Sequence, residues 1–179
     1  NVKSVFPTLE LLLSDHAYGL SKHRVTVSTS GIIPARESLK LTSDCALAVS
    51  LHAPQDALRS TLMPINDKYP LKDLIHTCQH YFEHKNRKVT FEYAMLDGVN
   101  DHLSHAKALV KRLAQCPCKI NLIPFNPFPG TQFKCTAMPR MIAFQNYLKQ
   151  HGMIVTIRKT RGQDIAAACG QLAGQIHDM

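Results

Sequence analysis

The apolar positions along the chain alternate between a helical rhythm and strand-like runs. Val5, Leu9, Leu12 and Leu13 recur at helical spacing, which predicts a helix capped by Ser4, with Pro7 in its first turn and Gly19 at its end. Val25 to Ser30 is β-rich and closed by Gly31, so it reads as a strand. Pro34 opens a short helix. Ala46 to His52 is apolar almost without a break until its end, the pattern of a parallel strand covered by helices. A short helix follows Pro54, and a longer one starts at Pro70 with Leu71, Leu74, Ile75, Cys78 and Phe82 along one face. Lys88 to Leu96 forms a third strand, and Asp101 caps a helix whose apolar side carries Leu103, Ala106, Leu109 and Leu113. Lys119 to Phe125 is the fourth strand, stopped by the loop Asn126-Pro127-Phe128-Pro129-Gly130. Pro139 opens a helix with Ile142 and Leu148, and Ile154 to Thr160 is the fifth strand. This alternation predicts an α/β fold with a parallel sheet, either doubly wound or part of a barrel.

Each predicted strand turns polar at its C-terminal end. The first ends in Ser28, Thr29 and Ser30, and the second in Ser50 and His52. The third runs into Asp97, Asn100 and Asp101, the fourth into Asn126, and the fifth into Lys159, Thr160 and Arg161. Parallel α/β proteins build their sites at that edge, so residues distant in sequence face one mouth. Each residue also has a plainer role open to it: a turn hydrogen bond, a loop histidine, a helix start or a solvated cation. Glu92 and Asn121 lie inside strands and point either into a polar barrel interior or outward.

Composition narrows the classes. The 179 residues suffice for one core without disulfides, and no apolar run approaches the ~20 residues that span a bilayer. The six cysteines lack framework spacing, which points to reduced thiols and a cytoplasmic setting. The protein is expected to be a monomer with no membrane partner. Cys116 and Cys118 stand too close for the usual metal or redox pair. A net charge of +8, from 21 Lys and Arg against 13 Asp and Glu, points to a polyanionic partner such as RNA or to a merely basic surface. The chain starts at Asn1 rather than Met, so it is expected to be part of a longer protein.

The stretch from Arg158 to Gly174 carries candidate chemistry. A basic cluster turns at Gly162 and leads to Cys169, set among Ala166, Ala167, Ala168 and Gly170. Small neighbours let a sulfur be approached closely, and they equally suit a packed, inert cysteine.

Several blocks taken in order carry a family resemblance. They are Gly19 to Lys22 with Val25 to Gly31 and Pro34; Ala48 to Pro54; Pro64-Ile65-Asn66; Tyr93 to Asp97 with Val99-Asn100-Asp101; Pro117 to Gly130; and Arg158 to Gly174. In these the chain resembles the RlmN family of radical S-adenosylmethionine enzymes, which methylate carbon 2 of adenine in ribosomal RNA and transfer RNA. The resemblance implies that residues 1–179 are the C-terminal portion of a radical-SAM (βα)6-type barrel. It implies S-adenosyl-L-methionine bound at Ser28, at Ser50, Leu51 and His52, and at Asn126, with Cys169 as the methyl-carrying cysteine.

The chemistry so implied explains the sulfur. Carbon 2 of adenine is not nucleophilic, so a cysteine thiolate first accepts a methyl group. In the family a 4Fe-4S cluster and an external electron donor then generate the radical that activates that group. A second cysteine releases the product through a transient disulfide with the position matching Cys169. This chain departs from the pattern in what it lacks. No Cys-x-x-x-Cys-x-x-Cys run occurs in it. In the family that run, the partner cysteine, an accessory domain and the first two barrel strands lie upstream of the position matching Asn1. By itself the chain is therefore expected to hold no cluster and to be inactive. The loop from His84 to Lys88 is also shorter than the family's. Two alternatives stand beside this reading: a Cfr-type enzyme, which methylates carbon 8, and a catalytically silent basic α/β RNA-binding module.

Overall fold

A computed structural model describes residues 2–33, 45–82 and 87–159. The helix expected from Pro34, most of the loop after Phe82, and the tail with Thr160, Arg161 and Cys169 lie outside the described residues. The rest alternates as expected. Helix α1 (Val2–Leu13) precedes β1 (Thr26–Thr29) and β2 (Ala46–Ser50). Helix α2 (Asp56–Leu62), a 3-10 turn (Pro64–Asp67) and α3 (Leu71–Gln79) lead to β3 (Val89–Met95). Then come α4 (Leu103–Leu113), β4 (Cys118–Pro124), α5 (Met138–Gln150) and β5 (Ile154–Ile157). The five strands form one sheet in sequence order, and every pair is parallel.

Strand alternation gives the sheet two unlike faces. Leu47, Val49, Val89, Phe91, Tyr93, Met95, Ile120, Leu122 and Val155 are buried. They share one core with Leu71, Leu74, Ile75, Leu109, Leu113, Met141, Phe144 and Leu148 of the helices. The helices therefore cover this face. The described cysteines are free thiols, and Cys45, Cys78, Cys116 and Cys118 are buried. No helix among the described residues is long and apolar enough to cross a membrane.

Local expectations shift in four places. Helix α1 already runs at Val2, so Ser4 is not its cap, and the Ser4 carbonyl instead accepts the Thr8 hydroxyl at 2.8 Å. It ends at Leu13, and Gly19 closes the following turn at φ 57°, its N–H bonded to the Ser14 carbonyl at 2.9 Å. Asp101 does not cap α4. Its carboxylate accepts the Gly98 N–H at 3.1 Å, the Thr136 hydroxyl at 3.0 Å and Arg140 Nη1 at 3.0 Å. Leu103 and Ile142 are 49% and 43% exposed, because the inward faces of α4 and α5 are set by Ala106, Leu109 and Leu113 and by Met141, Phe144 and Leu148.

Beneath the sheet's C-terminal edge lies a buried arginine. Arg59 of α2 donates from Nη2 to the carbonyls of Ser30 (2.8 Å) and Ser50 (2.9 Å), and from Nε to that of Leu51 (3.2 Å). Its Nη1 meets Asn66 Oδ1 at 3.0 Å. Asn66 is buried too, and its Nδ2 donates to Asp56 Oδ1 (3.2 Å) and Ser60 Oγ (3.0 Å). Asp56 also accepts the Leu71 N–H at 2.8 Å, so it serves the free start of α3. Gly31 makes room for this array. Its φ is +107°, and a Cβ there would sit 3.1 Å from Leu74 Cδ1 and 3.3 Å from Arg59 Nη2.

Removing the guanidinium strands buried acceptors from two strand ends. Arg59→Ala is expected to destabilise the protein by about 3–5 kcal/mol, and Gly31→Ala by about 1–3 kcal/mol. Denaturant titration measures both, and an Arg59→Ala midpoint equal to wild type would contradict the brace.

Candidate functional site

The second face of the sheet is polar. In register across the strands, Ser28 stands beside Ala48, Ala48 beside Thr90, and Thr90 beside Lys119. One step further along, Ser50, Glu92, Asn121 and Thr156 make a second row. Ser28 is exposed, while Ser50, Glu92 and Asn121 are half-buried. The Thr156 hydroxyl donates to Asn121 Oδ1 at 3.1 Å. A parallel sheet is normally covered on both faces by apolar layers. Here the uncovered face carries hydroxyl, amide and carboxylate groups, as the interior of an incomplete barrel does. Glu92 and Asn121 therefore belong with Ser28 and Ser50.

The end of β2 is strained and held from three sides. His52 has φ 57°, and the Ala53 N–H reaches back to the Leu51 carbonyl at 2.8 Å, a three-residue γ-turn. Among the described residues His52 alone combines a side chain with positive φ. Its Nδ1 accepts the Ala94 N–H at 3.0 Å, and its carbonyl accepts Asn100 Nδ2 at 2.8 Å. Leu51 is fully buried, its N–H bonded to the Glu92 carbonyl (2.9 Å) and its carbonyl to Arg59. Desolvation, then the nearby Arg59 charge, push the His52 pKa from 6.5 down to about 4. The ring is neutral at pH 7.

Asn100 ties this turn to β3. Its Oδ1 accepts the Leu96 N–H at 2.8 Å, and its Nδ2 also donates to the Ala94 carbonyl at 2.7 Å. Its own carbonyl accepts the Tyr93 hydroxyl at 2.8 Å. Arg140 of α5 clamps the same loop through Asp97 (2.8 Å) and Asp101 (3.0 Å). Asp97, Asn100 and Asp101 thus shape the rim. Asn126 is half-buried just beyond β4, and the exposed Arg158 and Lys159 follow β5, so both continue the same edge.

The geometry brings Ser28, Ser50, His52 and Asn126 to one edge, with Leu51 beneath it. Cys169 falls outside the described residues. Sequence reasoning missed Arg59, whose only signal was a cation on the short helix between the polar end of β2 and the Pro64-Ile65-Asn66 block.

The chain matches no protein-family model. It superposes on the crystal structure of a radical SAM methyltransferase from Sphaerobacter thermophilus with a TM-score of 0.89 and 40% sequence identity. The match covers 94% of this chain and 50% of that one, so this chain spans half that protein's length. This is a radical SAM fold. A domain of pyruvate-formate lyase-activating enzyme from Bacteroides vulgatus ATCC 8482 shares the radical SAM fold at a TM-score of 0.66 and 15% identity, over 88% of this chain and 91% of that domain. The open polar face is thus the inner wall of a partial radical SAM barrel. Radical SAM enzymes use a 4Fe-4S cluster, and the described residues do not fit one. Four of their cysteines are buried, all four in the covered core, only Cys135 is exposed, and no three His, Cys, Asp or Glu side chains stand together as a metal site.

The depressed His52 pKa has a sign. Below about pH 6.5 the unfolded chain binds a proton that the folded one refuses until about pH 4. Stability is therefore expected to fall as pH drops through that window, by about 3 kcal/mol in total from this residue. In His52→Asn, which tolerates the positive φ, that component of the slope disappears. Denaturant midpoints between pH 7 and pH 4 compare the two, and equal slopes would contradict the assignment.

Proposed function

We propose that this chain is the C-terminal half of a radical SAM RNA methyltransferase that methylates carbon 2 of adenine in ribosomal RNA and transfer RNA. The observation that carries the reading is the 40% identity to a radical SAM methyltransferase, held over 94% of the chain. The RlmN-like blocks and the net charge of +8, suited to RNA, narrow it further.

The polar rim suits S-adenosyl-L-methionine. The Ser28 and Ser50 hydroxyls and the Asn126 amide offer donors and acceptors for its ribose, adenine and amino-acid groups. His52 stays uncharged beside the cationic sulfonium, so it adds no repulsion. Leu51 holds the turn in place through its backbone. Bound S-adenosylmethionine supplies an electrophilic methyl group. Cys169 would be the thiolate that accepts it, its new sulfur–carbon bond forming as the sulfonium's methyl–sulfur bond breaks and neutral S-adenosylhomocysteine leaves. The thiolate charge cancels the sulfonium charge, so no further proton or electron is needed for this transfer. Cluster ligands and the electron donor's docking site belong to the rest of the protein under this reading.

Cys169→Ala in the full-length protein is expected to abolish 2-methyladenosine in cellular RNA while leaving RNA affinity within about twofold. Mass spectrometry of digested RNA measures the product. Unchanged 2-methyladenosine would overturn the proposal, and 8-methyladenosine in its place would move the protein to the Cfr type.

A further inference from the structure

An aromatic cluster stands on the loop after β4. Phe125 directly follows Pro124, so it falls in the phase of Asn121 and Ile123, on the open face. Its ring centroid lies 6.2 Å from that of Phe128 and 6.3 Å from that of Phe133, both edge to face. Phe128 is 45% and Phe133 39% exposed. The backbone beneath these rings is fixed. The Thr131 N–H bonds the Phe128 carbonyl at 3.1 Å, and the Phe133 N–H bonds Thr131 Oγ1 at 3.2 Å. The Lys134 carbonyl accepts the Asp97 N–H at 2.9 Å, and Cys135 bridges Leu96 in antiparallel fashion. The rings are therefore presented to solvent by an anchored loop.

Cations flank them. Lys134 adjoins Phe133 and is exposed. Arg158 and Lys159 are exposed at the end of β5, and the Arg158 N–H bonds the Leu122 carbonyl of β4 at 2.9 Å. Among the described residues none of the three is paired with a carboxylate. Exposed aromatic faces on the same edge as unpaired cations match the chemistry of an unpaired polynucleotide, whose bases stack and whose phosphates need positive charge. An apolar protein partner would leave those cations unused.

We infer that Phe128 and Phe133 form a stacking platform for unpaired RNA nucleotides next to the target base, with Lys134, Arg158 and Lys159 meeting their phosphates. The platform rests on the RNA-methyltransferase reading for the identity of its partner. The test measures binding of a short, labelled, single-stranded A-rich RNA to the full-length protein, at several salt concentrations. The double variant Phe128→Leu, Phe133→Leu is expected to bind roughly tenfold or more weakly with an unchanged salt slope. Phe128→Tyr with Phe133→Tyr is expected to stay within about twofold of wild type, because stacking survives. Lys134→Ala with Lys159→Ala is expected to reduce the slope by roughly one to two. Wild-type affinity in the leucine variant would overturn the platform, as would equal loss in the leucine and tyrosine variants. Loss of self-association with RNA binding unchanged would also overturn it, in favour of a second copy as the occupant. Formation of 2-methyladenosine is scored in parallel. If wild type makes it and the leucine variant binds normally, the platform fails and the activity stands. If wild type makes none and the leucine variant loses binding, the platform stands and the activity fails.

Discussion

One buried guanidinium sets the geometry of the mouth. The ends of parallel strands leave carbonyls with no partner of their own, and Arg59 gathers those of Ser30, Ser50 and Leu51. These belong to the ends of β1 and β2, so a helix residue fixes the spacing of two strand termini. A buried charge without a direct carboxylate is costly unless acceptors surround it. Here three carbonyls and the Asn66 side chain do so, and Asp56 stabilises the charge from nearby. Gly31 completes the arrangement, since any side chain would crowd both the guanidinium and Leu74.

Asn100 extends the same logic one strand further. It links the β2 turn to β3 by spending its amide donors on His52 and Ala94 and its oxygen on Leu96. The rim from β1 to β3 is thus stitched by two polar residues that face inward. The strained His52 turn persists because its surroundings over-determine it. A ligand meeting this edge meets a surface that has little left to organise.

Much of this was legible in the residues. The near-continuous apolar run in Ala46 to His52, with strands separated by helix-length segments, pointed to a covered parallel sheet. The shared polarity of strand ends required a mouth. What stayed hidden depended on distant partners. Asp101 reads as a helix cap, yet Thr136 and Arg140, which engage it, lie 35 and 39 residues away. Glu92 and Asn121 alternate correctly, but a period of two cannot say which face the helices cover. Arg59 on a short helix reads as solvated, because burial of a cation is set by tertiary acceptors. The role of Cys169 rests on the resemblance alone.

The two-faced sheet has a consequence for how such a protein can change over generations. Phe91 and Glu92 are neighbours in the chain but belong to opposite worlds, one oily and one wet. Gaining or losing one residue inside β3 would transpose them, driving a carboxylate into the hydrocarbon layer and a ring into the cavity. Insertions and deletions are therefore tolerated best in the segments between strands.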